Sequence, residues 1–161
     1  MLFPPNVLTR IIYYTRPFTD TSEETWEVGQ DFNFHLTLAA VSSHWRRAVL
    51  AIPNLWTTIL FQDVRQAAAE KYAHYLQLCF ERSEQLLLDL SISFTPDEWD
   101  YSPYLLSPES DMSILKNLDR IVDLRLRFPP YKWISMIPTM PNLTTLGISS
   151  SFDDLLSLPK Y

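Results

Sequence analysis

The side chains best suited to catalysis or metal binding are three histidines and a single cysteine, namely His35, His44, His74 and Cys79. The histidines are not paired four residues apart, nor are they accompanied by cysteines at the spacing of a zinc site. His74 precedes Cys79 by five residues, which does not place both on one face of a helix, so a nucleophile-base pair is weakly supported. No metal site is predicted, and a small hydrolase using Cys79 or a pair of carboxylates is the least favoured of the three functions considered.

Two groups of carboxylates offer a second kind of chemistry, acid-base catalysis. Asp97, Glu98 and Asp100 lie in a proline-rich segment, and Asp153 and Asp154 form the other group. Acidic runs of this kind are usually solvated faces of loops. No catalytic residue is therefore predicted, and no enzyme class is favoured.

The overall composition narrows the range of partners and cofactors. The 161 residues include 13 basic and 19 acidic side chains, a net charge of -6, so the field of the protein repels nucleic acid. With 2 glycines against 12 prolines, glycine-rich loops that hold nucleotide phosphates are improbable, and no cofactor is predicted. A single cysteine cannot form an internal disulfide, and no apolar run is long enough for a membrane span. We expect a cytoplasmic or nuclear protein that binds neither nucleic acid nor membrane.

Two helices are predicted in the first fifty residues. The first begins near Pro5 and ends before Pro17, because apolar residues recur at helical spacing: Val7, Leu8, Ile11 and Ile12. A polar loop over residues 19–30 follows. The second helix covers residues 31–50, with Asp31 or Asn33 as its cap and an apolar face formed by Leu38, Val41, Trp45 and Val49.

The rest of the chain alternates between helical and strand patterns. Residues 64–83 form the longest helical pattern, with Val64, Ala68, Tyr72, Tyr75, Leu76 and Cys79 on its apolar face. Leu88, Leu90, Ile92 and Phe94 alternate with polar residues, which predicts a half-buried strand. Residues 95–111 contain three prolines and are predicted to form a loop, followed by short helices over 112–118 and 131–137.

Three segments share the pattern L-x-x-L-x-[LI]. Their intervals are 34 and 22 residues, and the second lies within the roughly 20 to 29 residues of a leucine-rich repeat. The first interval fits only if the proline-rich segment is an insertion. Helix-strand units at such spacing stack into a solenoid with parallel strands, whereas strands of an ordinary α/β protein can match the pattern by chance. The three matches are Leu87, Leu90, Ile92; Ile121, Leu124, Leu126; and Leu143, Leu146, Ile148.

The first third of the chain resembles an F-box, the helical module that docks a substrate receptor onto the Skp-type adaptor of a cullin ubiquitin ligase. Residues 3–12, FPPNVLTRII, loosely match the opening L-P-x-E-[IVL]-L-x-x-I-[FL] of that family. Residues 38–49, LAAVSSHWRRAV, match its helix L-x-x-[VC]-[CS]-[RKS]-x-W-R-x-[IAL]-[AV] more closely. The sequence PNLW at 53–56, followed by a long helix and leucine-rich strands, is similar to the expanded F-box-like families of mushroom-forming fungi.

This resemblance implies an α+β fold with two parts. Residues 1–60 would form an F-box-like helical module, and residues 61–161 the first repeats of an α/β leucine-rich solenoid with parallel strands. The implied function is a non-catalytic substrate receptor that binds the Skp-type adaptor through its helices. An unidentified target protein would bind the leucine-rich region near Asp123, Arg125 and Arg127. The expected adaptor-binding residues are Pro5, Val7, Leu8, Ile11, Leu38, Val41 and Trp45.

The second hypothesis is a protein-interaction scaffold, or a degenerate F-box relic that does not bind the adaptor. Asn6 stands where the family commonly has an acidic residue, and a segment around residues 16–30 separates the first two helices. For Trp45 and Trp56, packing between the module and the solenoid is the alternative to contact with a partner.

Overall fold

The computed structural model describes residues 5–15, 34–65, 69–95 and 108–149. The chain combines helices with a four-stranded parallel sheet and divides into two compact units, Met1–Leu55 and Trp56–Tyr161. The boundary predicted after residue 60 lies within a strand, Thr58–Val64, that belongs to the sheet of the second unit.

The described residues of the first unit form three short helices, of which α3 contacts both of the others. They are α1 (Pro5–Thr15), α2 (Phe34–Val41) and α3 (Ser43–Leu50), and a 3-10 turn, Pro53–Trp56, follows. The first helix is confirmed. The polar loop over 19–30 and the proposed caps Asp31 and Asn33 lie outside the described residues.

The prediction of one helix over residues 31–50 is wrong, because the backbone is extended at Ser42, with φ -163° and ψ 168°. The Ser42 hydroxyl oxygen accepts a hydrogen bond from the Trp45 backbone N–H at 3.3 Å, which makes Ser42 the N-cap of α3. Serine is among the residues that best satisfy an unpaired N–H of a first helical turn. Leu38 and Val41 therefore lie on α2, whereas Trp45 lies on α3.

Within residues 58–65, 69–95 and 108–149, the second unit has four strands joined by three helices, and neighbouring strands are parallel in the order β1-β2-β3-β4. The elements are β1 (Thr58–Val64), α4 (Ala69–Arg82), β2 (Leu88–Phe94), α5 (Pro108–Leu115), β3 (Ile121–Arg127), α6 (Tyr131–Met136) and β4 (Thr145–Ser149).

Three of these elements differ from the predictions. Strand β1 was not predicted, and Val64, assigned to the long helix, is its last residue. Ala68 lies outside the described residues, and α4 begins at Ala69. Helix α5 begins at Pro108, within the predicted loop, since proline is favourable in a first helical turn.

The strand register matches part of the predicted repeat alignment. Leu90 pairs with Leu124, and Leu124 pairs with Leu146. Two residues further along each strand, Ile92, Leu126 and Ile148 align in the same way. The first motif positions do not align as predicted, because Ile121 pairs with Leu88 rather than Leu87.

Helices α4 and α6 pack against the face of the sheet that carries the alternating apolar residues. The Phe61 ring of β1 meets Tyr72 and Tyr75 of α4 edge-on, at centroid distances of 5.2 and 5.6 Å. The Phe94 ring of β2 meets Trp133 of α6 at 5.9 Å. Because side chains of a strand alternate between faces, the remaining strand positions lie on the opposite, mostly polar face.

No helix in the described ranges combines the length and the apolar character needed to cross a lipid bilayer.

Candidate functional site

The three histidines lie on three different helices and differ in their burial. His35 is buried in α2, His44 is half-buried in α3, and His74 is exposed on α4. Among the described residues, no three His, Cys, Asp or Glu side chains are close enough to hold a metal ion. The carboxylates at 97–100 and 153–154 lie outside these residues.

Cys79 is a packing residue of α4. Its side chain is almost completely buried, and burial raises the pKa of the thiol from 9.0 to about 12, although a hydrogen bond with Tyr75 acts in the opposite direction. A thiol attacks as the thiolate, and little thiolate forms at neutral pH when the pKa is raised this far. The geometry gives the Cys79 hydrolase hypothesis no support.

Helix α1 separates its apolar residues onto two faces. Leu8 and Ile12 are fully buried, whereas Val7 is 38% exposed and Ile11 is half-buried. Leu8 was expected to face the adaptor, but it is fully buried and belongs to the core instead. Residues four apart share a helix face, so Leu8 lies on the same buried face of α1 as Ile12. Pro5 is the first residue of the helix.

The junction of α2 and α3 exposes a second apolar side chain. Val41 is 61% exposed at the end of α2, while Leu38 and Trp45 are half-buried. The Arg46 Nε donates a hydrogen bond to the carbonyl oxygen of Ala39 at 3.2 Å, which places this side chain at the C-terminal turn of α2.

The polar face of the sheet carries the three residues expected to meet a target. Asp123 and Arg125 form an ion pair, with Nε to Oδ1 at 3.1 Å and Nη2 to Oδ2 at 3.2 Å. The guanidinium of Arg127 lies 5.4 Å from the centre of the Phe128 ring. Asp123, Arg125 and Arg127 lie on β3, the strand between β2 and β4.

The neighbours of these arginines across the sheet are small. Arg125 pairs in register with Ser91 on β2 and Gly147 on β4. A Cβ added at Gly147 would meet the Arg125 Cγ at 3.6 Å, an ordinary van der Waals contact. The aliphatic part of the Arg125 side chain is therefore flanked on both sides by residues with small side chains or none.

Two exposed residues of α1 were not singled out from the sequence. Arg10 and Tyr14 share the outer face with Val7, and Tyr14 is 79% exposed. Arg10 and Tyr14 follow Val7 by three and seven residues, and positions at this spacing lie on one side of a helix. That spacing could have identified them from the sequence.

No known protein family, curated protein sequence or solved structure matches this chain. A functional assignment therefore rests on the surfaces described above.

Proposed function

We propose that this protein is a non-catalytic substrate receptor of a Skp-cullin-F-box ubiquitin ligase. The adaptor would dock on the helices of the first unit, and a target protein on the polar face of the sheet in the second. The receptor would hold the target near a ubiquitin-conjugating enzyme, so that a high effective concentration replaces chemistry of its own.

The observation that carries the proposal is the exposure of Val7 and Val41. Apolar side chains on short helices that already bury Leu8, Ile12 and Val49 are surplus to the core. An amphipathic helix with exposed apolar residues fits a hydrophobic groove on a partner. Both residues belong to the segments that resemble an F-box.

The leucine-rich part of the proposal is supported by the sheet. Parallel strands in sequential order, with leucine or isoleucine at matching register positions, are typical of a solenoid. The interval from Leu124 to Leu146 is 22 residues, which suits a leucine-rich repeat. The polar face of such a sheet is accessible to a target.

The test is co-elution of the purified chain with a fungal Skp-type adaptor on size-exclusion chromatography. We expect a shared peak that is lost in the double variant Val7→Asp, Val41→Asp, because a charge placed in an apolar interface is strongly unfavourable. Met112→Asp is the matched control, since Met112 is 57% exposed in the second unit and should leave the shared peak intact.

Circular dichroism of each variant establishes whether it is folded. Adaptor binding that survives in the folded double variant would overturn the docking site. Absence of a shared peak with the folded natural chain would overturn the receptor function and favour the scaffold or relic.

A further inference from the structure

The apolar layer of the sheet is buried at β1 and exposed at β4. One row of core positions crosses the sheet in register as Ile59, Leu90, Leu124 and Leu146. The first three side chains are at most 1% exposed, whereas Leu146, on the edge strand β4, is 46% exposed. The layer is therefore covered at one edge of the sheet and left open at the other.

Helix α6 places a second apolar side chain at the open edge. The Lys132 Nζ lies 2.6 Å from the Asp111 Oδ2 of α5, so this side of α6 faces α5. Ile134 follows Lys132 by two residues, about 200° around the helix, and therefore lies on the side away from α5. Because α5 precedes β3 and α6 precedes β4, that side is the side of the open edge. Ile134 is 41% exposed.

The backbone of β4 directs hydrogen-bonding groups away from the sheet. The Ser149 carbonyl oxygen accepts a hydrogen bond from the Phe128 N–H at 2.7 Å, so Ser149 bonds to the end of β3. Alternate residues of a strand bond to the same neighbour, so Gly147 also faces β3, while Leu146 and Ile148 direct their N–H and C=O groups outward. In the described ranges, β3 is the one strand that pairs with β4.

This edge lacks the features that normally prevent strand pairing between molecules. Natural edge strands usually carry a lysine, a proline or a bulge. The β4 sequence TLGIS has no lysine or proline, and its register with β3 is continuous. Residues 133–152 contain no charged side chain, although 20% of the whole chain is charged. The edge is therefore suited to pairing with a further strand.

We propose that two copies of this chain associate through their β4 strands, which pair antiparallel about a two-fold axis at Gly147. Leu146 of one copy then lies opposite Ile148 of the other, and each such pair exchanges N–H···O=C hydrogen bonds. The two sheets become one continuous sheet, with the apolar rows of both copies on the same face. This self-association does not depend on the receptor function.

The two edges of the sheet favour a second copy in this arrangement. Ile59 and Phe61 of β1 are almost completely buried, so β4 of one copy has no equivalent open edge at β1 of the next. Contact between two identical edges closes into a dimer, whereas a head-to-tail contact would continue into a filament. The uncharged residues 133–152 allow the edge to meet itself without like-charge repulsion, despite the net charge of -6. At the axis, Gly147 has no side chain to obstruct the pairing.

The experiment is analytical ultracentrifugation of the full chain from about 2 to about 500 µM, because a small interface implies a Kd on the order of 10–100 µM. We expect the mass to rise from that of one chain to that of two, with little change between about 50 and about 500 mM NaCl. Leu146→Lys should raise the Kd at least about tenfold, because it places a charge on the edge strand. Leu115→Lys is the matched control; Leu115 is 50% exposed on α5, and its variant should keep the Kd within about twofold.

Gly147→Cys tests the position of the two-fold axis. Residues opposite each other in a pair without mutual hydrogen bonds have Cα atoms about 4.5 Å apart, within reach of a disulfide. A Cβ at Gly147 makes an ordinary van der Waals contact with the Arg125 Cγ at 3.6 Å, so the variant should fold. Oxidised glutathione should convert it into a covalent dimer on a non-reducing gel. Thr145→Cys is the control, since its two copies would lie at least about 13 Å apart.

Circular dichroism establishes that each variant is folded. A mass of one chain at every concentration would overturn the inference, and the occupant of the edge would then be another segment of this chain or another protein. A dimer that persists in folded Leu146→Lys, or equal cross-linking of Gly147→Cys and Thr145→Cys, would also overturn it. Adaptor binding is measured separately, so failure of this inference leaves the proposed function standing.

Discussion

Substitution of Arg120 tests which interactions stabilise the second unit. The residue is 6% exposed, and its guanidinium donates five hydrogen bonds. The acceptors are the carbonyl oxygens of Phe80 and Leu86, the Asn117 side-chain oxygen and the Ser83 hydroxyl. The last carbonyls of a helix have no partner within it, and Arg120 donates to the Phe80 carbonyl at the end of α4, which also accepts from the Ser83 hydroxyl at 3.3 Å.

The charge of Arg120 is compensated by dipoles. Burial lowers the pKa of Arg120, and the carboxylate of Asp119 acts in the opposite direction. Arginine remains protonated in proteins, and the negative end of the α4 dipole favours a cation at this position.

The substitution Arg120→Met keeps most of the apolar stem and removes every donor. A buried acceptor left unsatisfied costs about 1–3 kcal/mol; the substitution removes the arginine donor from the buried Phe80 carbonyl and Ser83 hydroxyl, and from the part-buried Leu86 carbonyl and Asn117 side-chain oxygen. We therefore expect the free energy of unfolding of the second unit to fall by about 3–5 kcal/mol. For a unit of this size that corresponds to a Tm lowered by about 15–30 °C.

The assay is urea unfolding followed by circular dichroism. Arg120→Lys keeps the charge but loses the planar fork, so its loss should be about half that of Arg120→Met. Arg82→Met, at an exposed position in the last turn of α4, should cost about 0.5 kcal/mol or less. A loss below about 1 kcal/mol for Arg120→Met, or equal losses at both positions, would refute the reasoning.

Three further predictions concern burial, capping and pH. Leu124→Ala should lower the free energy of unfolding by about 2–5 kcal/mol. Leu146→Ala, at the same register position but 46% exposed, should lower it by about 1 kcal/mol. Equal losses in urea unfolding would contradict this prediction. Ser42→Ala should lower helical stability by about 1 kcal/mol because a cap is lost, while the exposed neighbour variant Ser43→Ala should not, as thermal melts would show. Burial raises the pKa of Cys79 from 9.0 to about 12, so its contribution to stability is full below pH 9 and is lost between pH 9 and 12; urea midpoints should fall more steeply over this range in the natural chain than in Cys79→Ala.

Elements with a regular side-chain period were predictable from the sequence. The alternation of Leu88, Leu90, Ile92 and Phe94 predicted a strand with the bounds that the structure shows. The apolar spacing after Pro5 predicted α1 in the same way. These periods are local properties of the backbone, so no knowledge of the rest of the fold is required to identify them.

Strand β1 was missed because its residues fit two patterns. Val64 continues the apolar spacing of the following helix, and a short strand has too few residues to outweigh that signal. Pairing with β2 decides the conformation, since the backbone hydrogen bonds of one parallel strand require another strand that is distant in sequence.

The candidate surfaces were also predictable only in part. The sequence alone identified Val7, Val41 and the arginines of β3 as candidates. It also placed Leu8 on the adaptor-facing surface, although Leu8 is fully buried. Which of two adjacent apolar residues faces inward depends on the neighbouring helices and not on residue type.

By itself, the sequence determined the helical and strand periods, the acidic balance of the chain and the residue types available at each surface. The tertiary structure alone decided that Leu124 is buried while Leu146 is half-exposed, and that Arg120 lies at the end of α4. The physical reason is that a residue's burial and its hydrogen-bond partners depend on helices and strands that come together from distant parts of the chain. Arg120 and Phe80 are forty residues apart, and only the folded sheet unit joins them.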